Sequence, residues 1–131
     1  MHTINREKIE ALFNKDRVLI AILDSGLGGF SICAELERAL QERPLFRNVS
    51  LFFFNVWPEQ ARGYNSLGSV SERVRVFDRA LTGVQSYNPD LIMIACNTLS
   101  VIYERTPCSQ HETIPIVDIV DFGVDLIFGG L

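Results

Sequence analysis

Four short apolar runs, at 18–23, 49–56, 91–95 and 114–120, punctuate the chain, each nearly continuous in Val, Ile, Leu and Phe. Unbroken apolar runs of this length suit strands covered on both faces of a parallel sheet rather than strands with one wet face. Segments with helical spacing lie around and between them, at 4–14, 30–42, 70–86, 99–105 and in a tail from Val124. Alternation of the two patterns is the mark of βα units. The stretch 57–69 carries Pro, Gly and Asn with little periodicity and reads as a long loop, of a length that is often functional in compact domains. No internal repeat, low-complexity tract or interdomain linker is visible.

Right-handed crossovers leave few ways to arrange four such strands, and the commonest places them in the order 2-1-3-4. The expectation is an α/β fold: an open, parallel, four-stranded sheet with helices on both faces and the first and third runs at its centre. Connections leaving those two strands diverge to opposite sides, so the crevice at their carboxyl ends is the expected ligand site.

Composition narrows the partners. The chain has 131 residues, one domain's worth, of which 47% are hydrophobic and 21% charged. Its 12 basic and 16 acidic residues give a net charge of −4, which argues against nucleic acid and leaves a small organic ligand. No apolar run reaches membrane-spanning length, and the polar first 16 residues lack a signal peptide's apolar stretch, so a cytoplasmic protein without membrane contact is expected. Cys33, Cys96 and Cys108 are odd in number and lack C-x-x-C spacing, which points to free thiols rather than disulfides or zinc.

Chemistry-bearing residues stand where the topology wants a site. After the first strand comes Asp24-Ser25-Gly26-Leu27-Gly28-Gly29, and after the third comes Cys96-Asn97-Thr98-Leu99-Ser100. Glycines there let the backbone turn sharply and bring its N–H groups to a phosphate or carboxylate at a helix start; a plain tight turn is the alternative. Cys96, between a strand and a helix, is placed for a thiolate favoured by unpaired N–H groups, acting as base or nucleophile, or else is a small buried residue. Asp24 stands to face it as acid–base partner, or to cap the next helix, and Ser25 to bind ligand or to cap.

Competing motifs fail on spacing. Ser31 occupies the last glycine position of a dinucleotide fingerprint, no Gly-Lys-Ser/Thr is present, and Ile102 stands where a C-x5-R phosphatase loop needs arginine. His111 precedes the fourth strand, at its amino end, and is expected on the edge of the sheet opposite Cys96; His2 and His111 have no metal-ligand partners at useful spacing. Cys33 within a helix and Cys108 in a proline-containing loop read as structural.

The two strand-end motifs together resemble the glutamate racemase family of the aspartate/glutamate racemase superfamily, over about Val18 to Gly123. The run Ile114-Pro115-Ile116-Val117 leading to Asp121 resembles the family's Ile-Pro-Val strand and acidic residue, and Tyr64 falls at its Tyr-Gly loop. The resemblance implies a flavodoxin-like half of a racemase and cofactor-independent interconversion of L- and D-glutamate for cell-wall precursor supply. It casts Cys96 as the proton-transferring cysteine of the first domain and Asp24 as its carboxylate partner. Ser25, Asn97, Thr98 and Tyr64 become substrate ligands.

The sequence departs from the family at several points. Tyr64 is followed by Asn65-Ser66-Leu67-Gly68, Phe122 replaces the family's proline, and a second-domain Gly-Cys-Thr-His segment is missing from these 131 residues. The chain is therefore expected to be a single first domain with one half of the site, exposing a face through which it self-associates. Two further readings stand beside this one: an amino-acid or carboxylate-binding module without turnover, and a one-cysteine hydrolase or transferase.

Overall fold

A computed structural model describes residues 6–25, 29–42, 46–56, 68–111 and 113–118. Four strands are present: β1 (Val18–Asp24), β2 (Val49–Asn55), β3 (Leu91–Ile94) and β4 (Ile116–Asp118). They form one all-parallel sheet in the order β2-β1-β3-β4, the order expected from the pattern. The helices are α1 (Arg6–Leu12), α2 (Gly29–Glu42), α3 (Val70–Gln85) and α4 (Asn97–Ile102), with 3-10 turns at Tyr103–Arg105 and Pro107–His111.

Strand alternation divides the core into two layers. Val18, Ile20 and Ile22 of β1, with Leu91 and Met93 of β3, pack against Ile9 and Leu12 of α1 and Leu36, Ala39 and Leu40 of α2. Ala21 and Leu23, with Ile92 and Ile94, pack against Phe77, Leu81 and Val84 of α3 and Leu99 and Ile102 of α4. Ile20 through Leu23 are fully buried, which is why that run is apolar without a break. Helices thus cover both faces.

The spacing of Phe77, Leu81 and Val84, i, i+4 and i+7, is one stripe of a 3.6-residue helix. Its start is capped twice. The Ser69 hydroxyl accepts the Glu72 N–H at 3.1 Å, and the Glu72 carboxylate accepts the Gly68 N–H at 3.2 Å. At its far end Asn88 takes φ 57°, a left-handed conformation that asparagine tolerates, and the chain turns into β3.

Four details differ from the sequence expectation. β2, at the edge that the order 2-1-3-4 gives it, was expected to be covered on both faces, but its residues are half-buried or exposed. Phe52 and Phe54 make ring contacts with Tyr87 at 5.7 and 6.3 Å. β4 begins at Ile116 rather than at position 114, since Pro115 brings no N–H to the ladder and instead offers its carbonyl to Ile92. α4 begins at Asn97, directly after Cys96, and gives way to a 3-10 turn at Tyr103. Cys108 lies in a second 3-10 turn rather than an irregular loop. The tail from Val124 and positions 57–67 lie outside the described residues.

Asp90 secures the amino end of the central pair. β1–β3 pairing begins at Ile20 opposite Leu91, which leaves Leu19 without a partner in β3. Asp90 fills that place: its carboxylate accepts the Leu19 N–H at 2.8 Å, and its own N–H donates to the Leu19 carbonyl at 2.8 Å. The other carboxylate oxygen pairs with Lys15, whose side chain is half exposed. Asp90→Ala is expected to lower the urea-unfolding free energy by about 1–3 kcal/mol by leaving that N–H unsatisfied. Lys15→Ala should cost under about 1 kcal/mol because an exposed pair contributes little.

Candidate functional site

The site is assembled where β1 and β3 end side by side. The Ala95 N–H donates to the Leu23 carbonyl at 2.8 Å, and the Val56 N–H donates to the Asp24 carbonyl at 2.8 Å, so the backbone on both sides of Asp24 is held by the sheet. The Asp24 side chain is buried, at 6% exposure, and its Oδ1 accepts the Ser25 N–H at 2.7 Å. That bond sets the turn leaving β1. The Ser25 hydroxyl then meets the Cys96 thiol at 3.3 Å, with either atom able to donate.

Cys96 holds the N-cap position of α4 in an extended conformation, φ −140° and ψ 136°, and its side chain makes no capping hydrogen bond. The thiol is half-buried against the α3/α4 layer. Its carbonyl accepts the Ser100 N–H at 3.1 Å and so closes the first turn of the helix.

Three of the residues singled out in the sequence, Asp24, Ser25 and Cys96, therefore come together at one edge of the sheet. The described partner of the thiol is Ser25, while the described bond of Asp24 goes to the Ser25 backbone. Asn97 and Thr98 open α4 immediately beyond Cys96, but their side chains lie outside the described residues, as do Tyr64, Gly26, Gly28 and Asp121. His111 is an exposed residue of the Pro107–His111 turn, which packs on α3.

One pair in the neighbourhood was given no role in the sequence reading. The Ser100 hydroxyl donates to Asp118 Oδ2 at 2.7 Å. The signal that finds it is the β3–β4 register, which sets Asp118 opposite Ile94 at the same carboxyl edge. In the sequence Asp118 looks like one polar residue interrupting an apolar strand.

Cys108 has different surroundings. Its N–H donates to Asp78 Oδ1 at 2.9 Å, and its thiol lies 3.6 Å from the Thr82 hydroxyl. Burial pushes the Cys108 thiol pKa up, the Asp78 charge adds to this, and the Thr82 hydrogen bond offsets part of it. Among the described residues no group of three or more His, Cys, Asp and Glu is arranged to hold a metal ion. No helix among them is long and apolar enough to cross a membrane.

An open parallel sheet in the order 2-1-3-4, with a thiol, a hydroxyl and a carboxylate gathered at the carboxyl ends of its central strands, defines a flavodoxin-like α/β domain with its polar side chains at the switch point. Comparison with known proteins is more particular. The chain is 31% identical over 101 residues to a glutamate racemase of Vibrio vulnificus (strain CMCP6), and 33% identical over 102 residues to the glutamate racemase of Vibrio cholerae serotype O1. In each case the match takes in 77% of this chain and 35% of the relative, so it is a partial and distant match to the racemase family. No family model matches the chain. No solved structure matches it either.

The raised Cys108 pKa has a measurable consequence. The thiolate is the reacting form, so Cys108 is expected to alkylate appreciably only above the pH at which an ordinary cysteine reacts. Asp78→Asn removes a neighbouring negative charge and should move the Cys108 rate–pH profile to lower pH, as read by peptide-level mass spectrometry.

Proposed function

We propose that this chain is a racemase-like domain that binds a small amino acid of the glutamate type at the carboxyl edge of β1 and β3, with Cys96 as the group that moves the α-proton. The observation that carries the reading is the Ser25–Cys96 contact at 3.3 Å, which brings both strand-end motifs to one point. The partial match to glutamate racemases supports the choice of ligand.

An α-proton flanked by a carboxylate and an ammonium is weakly acidic, and removing it requires a positioned base, fixed donors for the growing negative charge, and exclusion of water. In this reading Cys96 is that base and, in the reverse direction, the acid. Ser25 stands against the thiol and hydrogen-bonds either it or the ligand. Asp24 serves as the carboxylate partner, and its bond to the Ser25 N–H fixes the turn that presents the hydroxyl. Asn97, Thr98 and Tyr64 hold the α-amino and α-carboxylate groups. None of these steps calls on a cofactor. Full interconversion of enantiomers needs a proton delivered to the opposite face as well, and Cys96 serves one face.

Incubation of either glutamate enantiomer with the protein in D2O is expected to give α-proton exchange detectable by NMR. Cys96→Ala should abolish that exchange, with glutamate binding retained in calorimetry. Exchange at an unchanged rate in Cys96→Ala would refute the assignment of the base. Binding without exchange in the parent protein would instead mark a carboxylate-binding module.

A further inference from the structure

The mechanism leaves the Ser100–Asp118 pair unused, although it lies one turn beyond Cys96. Ser100 makes two bonds at once. Its hydroxyl donates to Asp118 Oδ2 at 2.7 Å, and its backbone N–H donates to the Cys96 carbonyl at 3.1 Å. The tip of β4 is thus connected through a single residue to the backbone that carries the thiol.

Placement strengthens the connection. Asp118 ends β4 opposite Ile94, and Cys96 follows Ile94 by two residues. Alternation along the strands puts Asp118 on the same side as Ile94 and Ile116, the α3/α4 side, against which Cys96 also packs. α4 needs such an anchor. It has six residues, too few to hold a helix by local bonding alone, and its N-cap side chain makes no capping bond. Leu99 and Ile102 bury its apolar side, and the Ser100–Asp118 bond adds a directional tie from its first turn to β4.

We propose that Asp118, acting through Ser100, is a positioning residue for the Cys96 thiol: it docks the first turn of α4 on β4 and so keeps the thiol against Ser25. This inference rests on the reading of Cys96 as the reactive group. The charged residues on the elements packed around Cys96 are Asp24 on β1, Asp118 on β4, and Glu72, Arg73, Arg75, Asp78 and Arg79 on α3, Asp78 being engaged with Cys108. α4 itself carries no charge. Asp118 is hydrogen-bonded to α4 through Ser100.

The test is the rate at which iodoacetamide alkylates Cys96 and Cys108 in the full chain, followed peptide by peptide at one fixed pH alkaline enough for Cys108 to react. Ser100→Ala and Asp118→Ala free the first turn of α4, and Cys96 should react about fivefold faster in each, the population change expected from losing one such hydrogen bond. Ser100→Thr keeps the hydroxyl and should restore a rate near that of the parent protein, and Asp118→Asn, which keeps an acceptor but removes a charge, should react more slowly than Asp118→Ala. Cys108 should be unaffected throughout. The proposal is overturned if the alanine variants leave the Cys96 rate unchanged, or if Cys96 and Cys108 accelerate together, which would mean general loosening. Should Asp118→Ala fail to fold, Ser100→Ala carries the comparison, because it deletes only a hydroxyl. Alkylation does not depend on glutamate, so loss of this proposal is distinguishable from loss of the racemase-like reading, which the exchange experiment decides.

Discussion

Parallel pairing of β1 with β3, Ile20 opposite Leu91 through Leu23 opposite Ile94, is the constraint on which the rest of the structure depends. It joins chain segments some seventy residues apart and makes both strands central, so that their side chains are buried on two faces by two separate helix layers. The same pairing brings the residues after both strands to one edge. Ser25 and Cys96 are neighbours because Leu23 and Ile94 are paired, not because of any attraction between a hydroxyl and a thiol. The chemistry at the edge is inherited from apolar burial beneath it, and Asp90 closes the other end of the pair at Leu19.

The sheet was legible in the sequence because strands buried on both faces leave a strong trace, as the run from Val18 to Leu23 shows. The order 2-1-3-4 followed from the handedness of crossovers rather than from any one residue. What escaped was set by contacts distant in sequence. β2 resembles a strand covered on both faces in composition, yet its residues are half-buried or exposed, its phenylalanines sharing ring contacts with Tyr87 from beyond α3. The turn holding Cys108 is fixed by Asp78, thirty residues earlier, and no local signal records that bond.

The site shows the same division. Asp24, Ser25 and Cys96 were legible because topology predicts a crevice at two strand ends, and polar residues occur at both. Their arrangement was only partly legible. The sequence places Asp24 and Ser25 side by side at the end of β1, and the structure adds that Asp24 Oδ1 holds the turn while the Ser25 hydroxyl meets the sulfur. Which of two adjacent polar residues meets a given neighbour depends on the local turn, which the sequence does not record. The role of Asp118 was hidden for the converse reason: a lone acid in an apolar strand gains its meaning only from the register with β3.

In the proposed function, the carboxyl edge of β1 and β3 is where this chain meets its ligand. The most direct measurement is a titration of the isotopically labelled protein with L-glutamate, followed residue by residue through backbone amide resonances. The account predicts saturable shifts at Ser25, Cys96 and the first turn of α4, with the amino ends of the strands around Leu19 and Asp90 unmoved. Saturable shifts confined to another surface, or none at millimolar glutamate with the fold intact, would contradict it.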